Sequence, residues 1–203
     1  MNQLEHDLDF IEIGTSNFFT CIQECGDFEK GISIEPISYY LNSLPNKWNV
    51  RKINCAVSLD GTEGVIDMFY IPEQVIIEHN LPLYLRGCNT VNEPHPLSAN
   101  WSHLVVKETV PKVAISTILT DNNVRGIKYL KIDTEGADCH ILNELMKYLQ
   151  NKPIEYWPLR INYESNEWSS PELKAATLNL YFANQYILES IDLETTLILK
   201  KSI

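Results

Sequence analysis

Short apolar segments alternate with helix-forming stretches along most of the chain, and that alternation constrains the fold more than any other feature. Residues 8–13 are mostly apolar and run into Gly14, and residues 31–34 run into Glu35-Pro36. Residues 127–132 and 159–163 repeat the pattern, and residues 50–57 and 64–71 read as further strands. Helices are expected over about 17–26, from Pro36 onward, over 137–149 and over 171–184. Pro36 and Pro171 suit a first helical turn, where a missing N–H costs no hydrogen bond, and Ser170 can cap the last helix. Ile141, Leu145 and Leu149 recur every four residues on one helix face. Strands that alternate with helices form a parallel sheet covered on both faces. The segments 186–189 and 196–199 are separated by about six residues, too few for a crossover, so that pair is antiparallel. The expected fold is α/β: a doubly wound, mostly parallel sheet of about seven strands, one of them antiparallel, in an α/β/α sandwich.

The 203 residues suit one domain spanning the chain. Hydrophobic residues make up 44% and charged residues 21%, which argues for a packed core rather than disorder. The net charge of −11 repels phosphate backbones, so nucleic acid is not an expected partner. No apolar run approaches the roughly 18–20 residues of a membrane span, and no membrane association is expected. The first residues lack the basic-then-apolar order of a secretory signal. The five cysteines are odd in number and form no CxxC pair, which points to free thiols and a reducing, cytoplasmic location. Residues 72–111 stand apart: they hold Pro72, Pro82, Pro94, Pro96 and Pro111 and show little periodicity. A connection this long is usually functional. It is expected to be an insertion that forms an acceptor-binding lid, with short helical pieces such as 72–80.

The ends of the expected strands carry carboxylates: Glu12-Ile13-Gly14-Thr15-Ser16-Asn17, Glu35-Pro36, Asp133-Thr134-Glu135-Gly136 and Glu164-Ser165-Asn166. Ligands of open α/β sheets bind at this carboxyl edge. Glu35 follows Gly14 by 35 − 14 = 21 residues, the spacing at which an acidic residue accepts hydrogen bonds from both ribose hydroxyls. A GxGxxG turn for a pyrophosphate is missing, and so is a GxxxxGK[ST] loop for a triphosphate. The ligand is therefore expected to contain a ribose and no phosphate, which fits S-adenosylmethionine on a Rossmann-like sheet.

These segments resemble the FkbM-type methyltransferases, a branch of the class I S-adenosylmethionine-dependent enzymes. The resemblance rests on Phe10-Ile11-Glu12-Ile13-Gly14-Thr15, Gly31-Ile32-Ser33-Ile34-Glu35-Pro36, Asn54-Cys55-Ala56-Val57-Ser58 with Gly61, and Tyr129-Leu130-Lys131-Ile132-Asp133-Thr134-Glu135-Gly136. It implies that Glu12 and Gly14 shape the turn under the methionine part of the cofactor. It also implies that Glu35 holds the ribose, that Cys55, Ala56 and Val57 lie along the adenine, and that Asp133 sits near the transferred methyl. Ser16, Asn17 and Pro36 complete the expected cofactor contacts. The chain departs from the family pattern where Glu12 replaces an Asp, Ser16 an Asn and Phe18 a Gly.

Methyl transfer from a sulfonium is an in-line displacement that depends on positioning, and a hydroxyl acceptor must also lose its proton. Asp133, Glu135 and Glu164 at the sheet edge, and His95 in the insertion, are the candidate catalytic groups; His140 is either a further base or a surface residue. Asp133, Glu135 and Glu164, with Asn166, offer hard oxygen ligands for Mg²⁺; alternatively, Lys131 and Arg160 neutralise them. Tyr84, Trp101 and Trp168 are either an acceptor pocket or packing residues. The expected activity is O-methylation of a hydroxyl on a sugar, glycan or other small molecule. The alternative is a non-catalytic module that keeps the fold and serves a protein partner.

Overall fold

A computed structural model describes residues 7–16, 19–91, 93–165, 169–191 and 194–200. In chain order the elements are β1 (Leu8–Ile13), α1 (Cys21–Glu24), β2 (Gly31–Ile34), α2 (Ser38–Ser43), β3 (Val50–Ile53), β4 (Ala56–Val57), β5 (Gly64–Tyr70) and α3 (Glu73–Glu78). They continue with β6 (Thr90–Val91), β7 (Val106–Val113), α4 (Ile115–Asp121), β8 (Ile127–Ile132), α5 (Asp138–Leu149), β9 (Arg160–Glu164), α6 (Pro171–Ala183), β10 (Tyr186–Ile191) and β11 (Glu194–Leu199). Short 3-10 helices occupy Leu83–Arg86, Pro96–Leu104 and Ile154–Tyr156.

The main sheet has seven strands in the order β10-β11-β9-β8-β1-β2-β3. Strands β1, β2, β3, β8 and β9 run parallel to one another, and β11 is antiparallel to both β9 and β10. The short link before β11 forces that reversal, as its length requires. Alternation along β1 divides the core. Ile11 and Ile13 join a large cluster with Leu130, Ile132, Ile141 and Leu145. Phe10, the residue before Ile11, points to the other face and packs with Ile22 of α1, Leu41 of α2 and Leu44 just after it. Among the described residues no helix is long and apolar enough to cross a membrane.

Several boundaries differ from the sequence expectation. The expected strand over 50–57 is two strands: β3 pairs with β2 in the main sheet, whereas β4 pairs with β7 in a second sheet. Strand β5 likewise joins the second sheet, whose order is β4-β7-β5-β6. Strand β7 has no counterpart in the sequence reading, because its exposed and half-buried residues alternate poorly and Pro111 lies inside it. Pro111 is tolerated opposite Val65 because β4 meets β7 only at Lys112 and Val113. The sequence reading also leaves α4 out, although it buries Ile115, Ile118 and Leu119 on one face. Helix α1 is shorter than the expected 17–26, and Asn17 and Phe18 lie outside the described residues. Helix α2 begins at Ser38 rather than at Pro36, because the Glu35 carboxylate takes the Ile37 N–H 2.9 Å away and holds the chain extended there. Helix α6 starts as expected: Ser170 Oγ accepts the Leu173 N–H at 3.1 Å and Pro171 opens the first turn.

The segment 72–111 builds its own small core. Ile71, Ile76, Leu85 and Cys88 are buried, and Trp101, Leu104 and Val105 pack against them. The long β5–β7 ribbon carries this unit from the main sheet.

Candidate active site

The carboxyl ends of β1, β2, β8 and β9 open into one cleft of about 310 Å³. Its floor is Ile13 to Ser16, Ile34 to Pro36 and Asp133 to Glu135. Cys55, Ala56 and Val57 line one wall, and Met68, Tyr84, Gly87, Asn89 and Val91 reach it from the second sheet and the insertion. Four carboxylates, Glu35, Asp133, Glu135 and Glu164, face this space, and among the described residues no Lys or Arg lines it.

Gly14 makes the close approach of the chain after β1 to the end of β8 possible. Its φ is +78°, and a Cβ there would lie 1.9 Å from the Asp133 carbonyl oxygen. The backbone after β1 turns tightly over Asp133, whose N–H donates to Ile13 O at 2.9 Å. Glu35 stands under the same turn. Its Oε2 accepts from Thr15 N (3.1 Å), Thr15 Oγ1 (3.3 Å) and Ser16 N (2.8 Å), and its Oε1 accepts from Ile37 N (2.9 Å). Glu35 is 2% exposed, and burial pushes its carboxyl up to about 7 against the pull of these donors. Asn54 braces the same corner by donating to both Glu35 O and Pro36 O at 2.8 Å.

Glu12 lies beneath the cleft rather than in its lining. It is fully buried, accepts from Cys21 N at 2.9 Å and pairs with Lys131 Nζ at 3.2 Å. Burial raises its carboxyl. Lys131 also donates to Phe19 O at 3.2 Å, so it ties the end of the loop back to the sheet. Arg160 pairs with Glu189 at 2.9 Å. The ion pairs of Lys131 and Arg160 are thus with Glu12 and Glu189, not with the cleft carboxylates. Ser16, at φ +45°, donates through Oγ to Arg86 O at 2.9 Å and joins the loop to the insertion. Arg86 is held in turn by Glu73 at 2.9 Å.

Asp133, Glu135 and Glu164 each offer an oxygen, and these oxygens lie within 4.8 Å of one another. Burial pushes the Asp133 carboxyl up to about 7; the Lys131 charge opposes the shift, and Asp138 and Glu135 add to it. Asp138, which the sequence reading leaves out, organises this edge. It is fully buried and accepts from Thr134 Oγ1 (2.7 Å), Thr134 N (3.3 Å) and Glu164 N (3.1 Å), which locks the ends of β8 and β9 together. Its signal in the sequence is an acid in the first turn of a helix that follows a glycine.

His95 lines an adjoining groove with Glu93, Pro94, Pro96, Glu135 and His140. It is 2% exposed; its Nδ1 accepts from Leu97 N at 3.1 Å, and its Nε2 lies 3.2 Å from Glu135 Oε2. His140 is exposed on α5. Tyr84 faces the cleft, Trp101 packs in the core of the insertion, and Trp168 and Asn166 lie outside the described residues, as does Asn17. Burial pushes the Cys21 and Cys88 thiols up to about 12 and the Cys55 thiol up to about 11, so none of the three is a reactive thiolate.

No curated protein matches the chain. A family model described as the Methyltransferase FkbM domain matches residues 9–187, a span that begins in β1, ends in β10 and contains every cleft residue. The chain therefore belongs to the FkbM methyltransferase family.

Proposed function

We propose that the protein transfers a methyl group from S-adenosylmethionine to a hydroxyl of a sugar or other small molecule. One observation carries the reading. The cleft at the sheet's carboxyl edge is ringed by carboxylates and, among the described residues, lined by no cationic side chain, and Glu35 stands beneath its glycine turn. Such a cleft rejects phosphate-bearing cofactors and favours a ribose attached to a cation.

S-adenosylmethionine, when bound, supplies an electrophilic methyl on a positively charged sulfur. The residues suited to hold it are Gly14 to Ser16, Glu35, Pro36 and Cys55 to Val57, with Asp133 at the methyl end. Glu35 fixes the loop through Oε2, while its Oε1 accepts a single bond among the described residues and has a lone pair left for a hydroxyl. Cys55, Ala56 and Val57 supply a buried apolar wall for a base. Asp133, Glu135 and Glu164 supply carboxylate oxygens that accept the acceptor's proton, and holding the hydroxyl in line contributes most of the remaining rate. The insertion closes the side of the cleft through Tyr84, Asn89 and Val91 and selects the acceptor.

Mg²⁺ fits the same three carboxylates, because their hard oxygens lie within 4.8 Å of one another. Bound there, it would orient the hydroxyl and lower its pKa. Turnover that survives EDTA sinks this part of the proposal and leaves the rest standing.

The test of the main reading is thermal unfolding with S-adenosylmethionine or S-adenosylhomocysteine. At about 100 times its dissociation constant, a ligand adds roughly 2.7 kcal/mol, or about 5–10 °C for a chain of this size. No shift at millimolar ligand refutes the reading. A shift with no methyl transfer to any sugar or small-molecule acceptor supports the non-catalytic module.

A further inference from the structure

Glu135 lines both the cleft and the adjoining groove, where it meets His95 from the insertion, and both sit in restricted backbone. Glu135 sits at φ +53°, in the left-handed region that a residue with a Cβ rarely adopts, and Gly136 follows at φ +104°. Residues held in this way cluster at functional sites. His95 lies between Pro94 and Pro96, which restrict the backbone on both sides. Its carbonyl accepts from Ser98 Oγ at 2.6 Å and from Ser98 N at 2.9 Å. The imidazole is thus delivered by a segment with little freedom.

Its two nitrogens have different tasks. Nδ1 accepts the Leu97 N–H, so Nδ1 carries no proton. Nε2 is the nitrogen left to carry a proton, and it is the atom 3.2 Å from Glu135 Oε2. With Nδ1 engaged by the backbone, Nε2 is the atom that faces the carboxylate.

We infer that His95 is a positioning residue: through Nε2, 3.2 Å from Glu135 Oε2, it aims the Glu135 carboxylate into the cleft, so the insertion completes the catalytic edge of the sheet. This rests on the methyltransferase reading. It assigns His95 the role of orienting Glu135, not that of taking the acceptor's proton, and it makes the insertion part of the catalytic apparatus as well as a selector of acceptors.

Two readouts test it. Long-range ¹H–¹⁵N correlation spectra of histidine-labelled protein, assigned by comparison with His95→Gln, report the state of the ring. The expected result is a ring protonated on Nε2 whose Nε2 resonance moves in Glu135→Gln. A ring whose only proton is on Nδ1, or an Nε2 resonance unmoved in Glu135→Gln, overturns the inference. The second readout is transfer of radiolabelled methyl from S-adenosylmethionine to the small-molecule fraction of a cell extract. His95→Ala is expected to lower turnover about 10- to 100-fold, as loss of an outer-shell partner does. The thermal shift induced by S-adenosylmethionine should stay at the wild-type size. His95→Gln, which keeps an N–H donor, should recover part of the rate. Full turnover in His95→Ala overturns the inference, and if that variant fails to fold, His95→Gln and the spectra decide. Absence of transfer by the wild type counts against the methyltransferase reading itself, and the spectra then decide the His95–Glu135 geometry alone.

Discussion

Gly14→Ala should destabilise the protein and remove the cofactor site together. The position has φ +78°, which costs a residue with a Cβ about 1–2 kcal/mol. The new Cβ would also lie 1.9 Å from Asp133 O, 2.8 Å from Asp133 C and 3.1 Å from Thr134 Cγ2. Two of these atoms are backbone, so no side chain can swing away to make room. Relief requires the end of β1 to separate from the end of β8, at the place where Asp133 N donates to Ile13 O. Overpacking of this kind costs about 1–3 kcal/mol. The sum is about 2–5 kcal/mol, and its midpoint lowers the melting temperature by roughly 7–14 °C at about 2–4 °C per kcal/mol. Urea unfolding followed by circular dichroism measures the change, with an unchanged m-value showing that the two end states are the same. Gly26→Ala is the control: its Cβ would meet only Glu29 Oε2, at an ordinary 3.5 Å, and its cost should stay near the roughly 0.5 kcal/mol of a surface change. A Gly14→Ala protein as stable as this control, or one that keeps the full thermal response to S-adenosylmethionine, would refute the argument.

Three further outcomes follow from the same edge of the sheet. Glu35→Ala leaves the N–H groups of Thr15, Ser16 and Ile37 without their carboxylate, so it should destabilise by about 1–3 kcal/mol per buried donor that finds no water and abolish the cofactor-induced thermal shift; a wild-type shift in this variant would contradict the ribose role. Asp133 has a folded pKa near 7, raised from 3.8 by burial, so the native state binds more protons than the unfolded chain between these values. Its stability contribution is present in full below about pH 4 and is lost as pH rises through 7; Asp133→Asn should flatten this part of a stability-versus-pH curve, and an unchanged slope would show that another group is responsible. Asp138→Ala removes three hydrogen bonds from the buried joint between β8 and β9, and hydrogen-exchange protection at the Glu164 amide should fall well before global unfolding; protection equal to wild type would show that the joint does not depend on Asp138.

Much of the main sheet was legible because its signals are local. Strands β1, β2 and β8 are short apolar runs that end at a glycine or a carboxylate, and the helix after β8 repeats its apolar residues every four positions. The tight link between β10 and β11 forces an antiparallel pair whatever the rest of the chain does. The second sheet was illegible for the opposite reason. Strand β7 is mostly exposed or half-buried and contains a proline, so neither its period nor its composition marks it as a strand. Its partners are β4, which looks in sequence like a continuation of β3, and β5, whose paired residues lie 112 − 64 = 48 to 106 − 70 = 36 positions away.

The candidate site divides along the same line. From the sequence alone came the residue types and their order: a glycine turn, an acid 21 residues later, and carboxylates at successive strand ends. These are properties of single segments and of their spacing. Only the tertiary structure could decide which carboxylates face the cleft. Glu12 and Lys131 are 119 residues apart, and they pair because β1 and β8 lie in register, which takes both beneath the site. Asp138 became a structural joint because the end of β9 comes to rest on it. His95 sits in an irregular insertion that no periodicity describes, and its place beside Glu135, 40 residues on in the sequence (135 − 95), depends on long-range packing. Spacing along a chain determines which groups one strand end presents; register and long-range packing determine which of them meet.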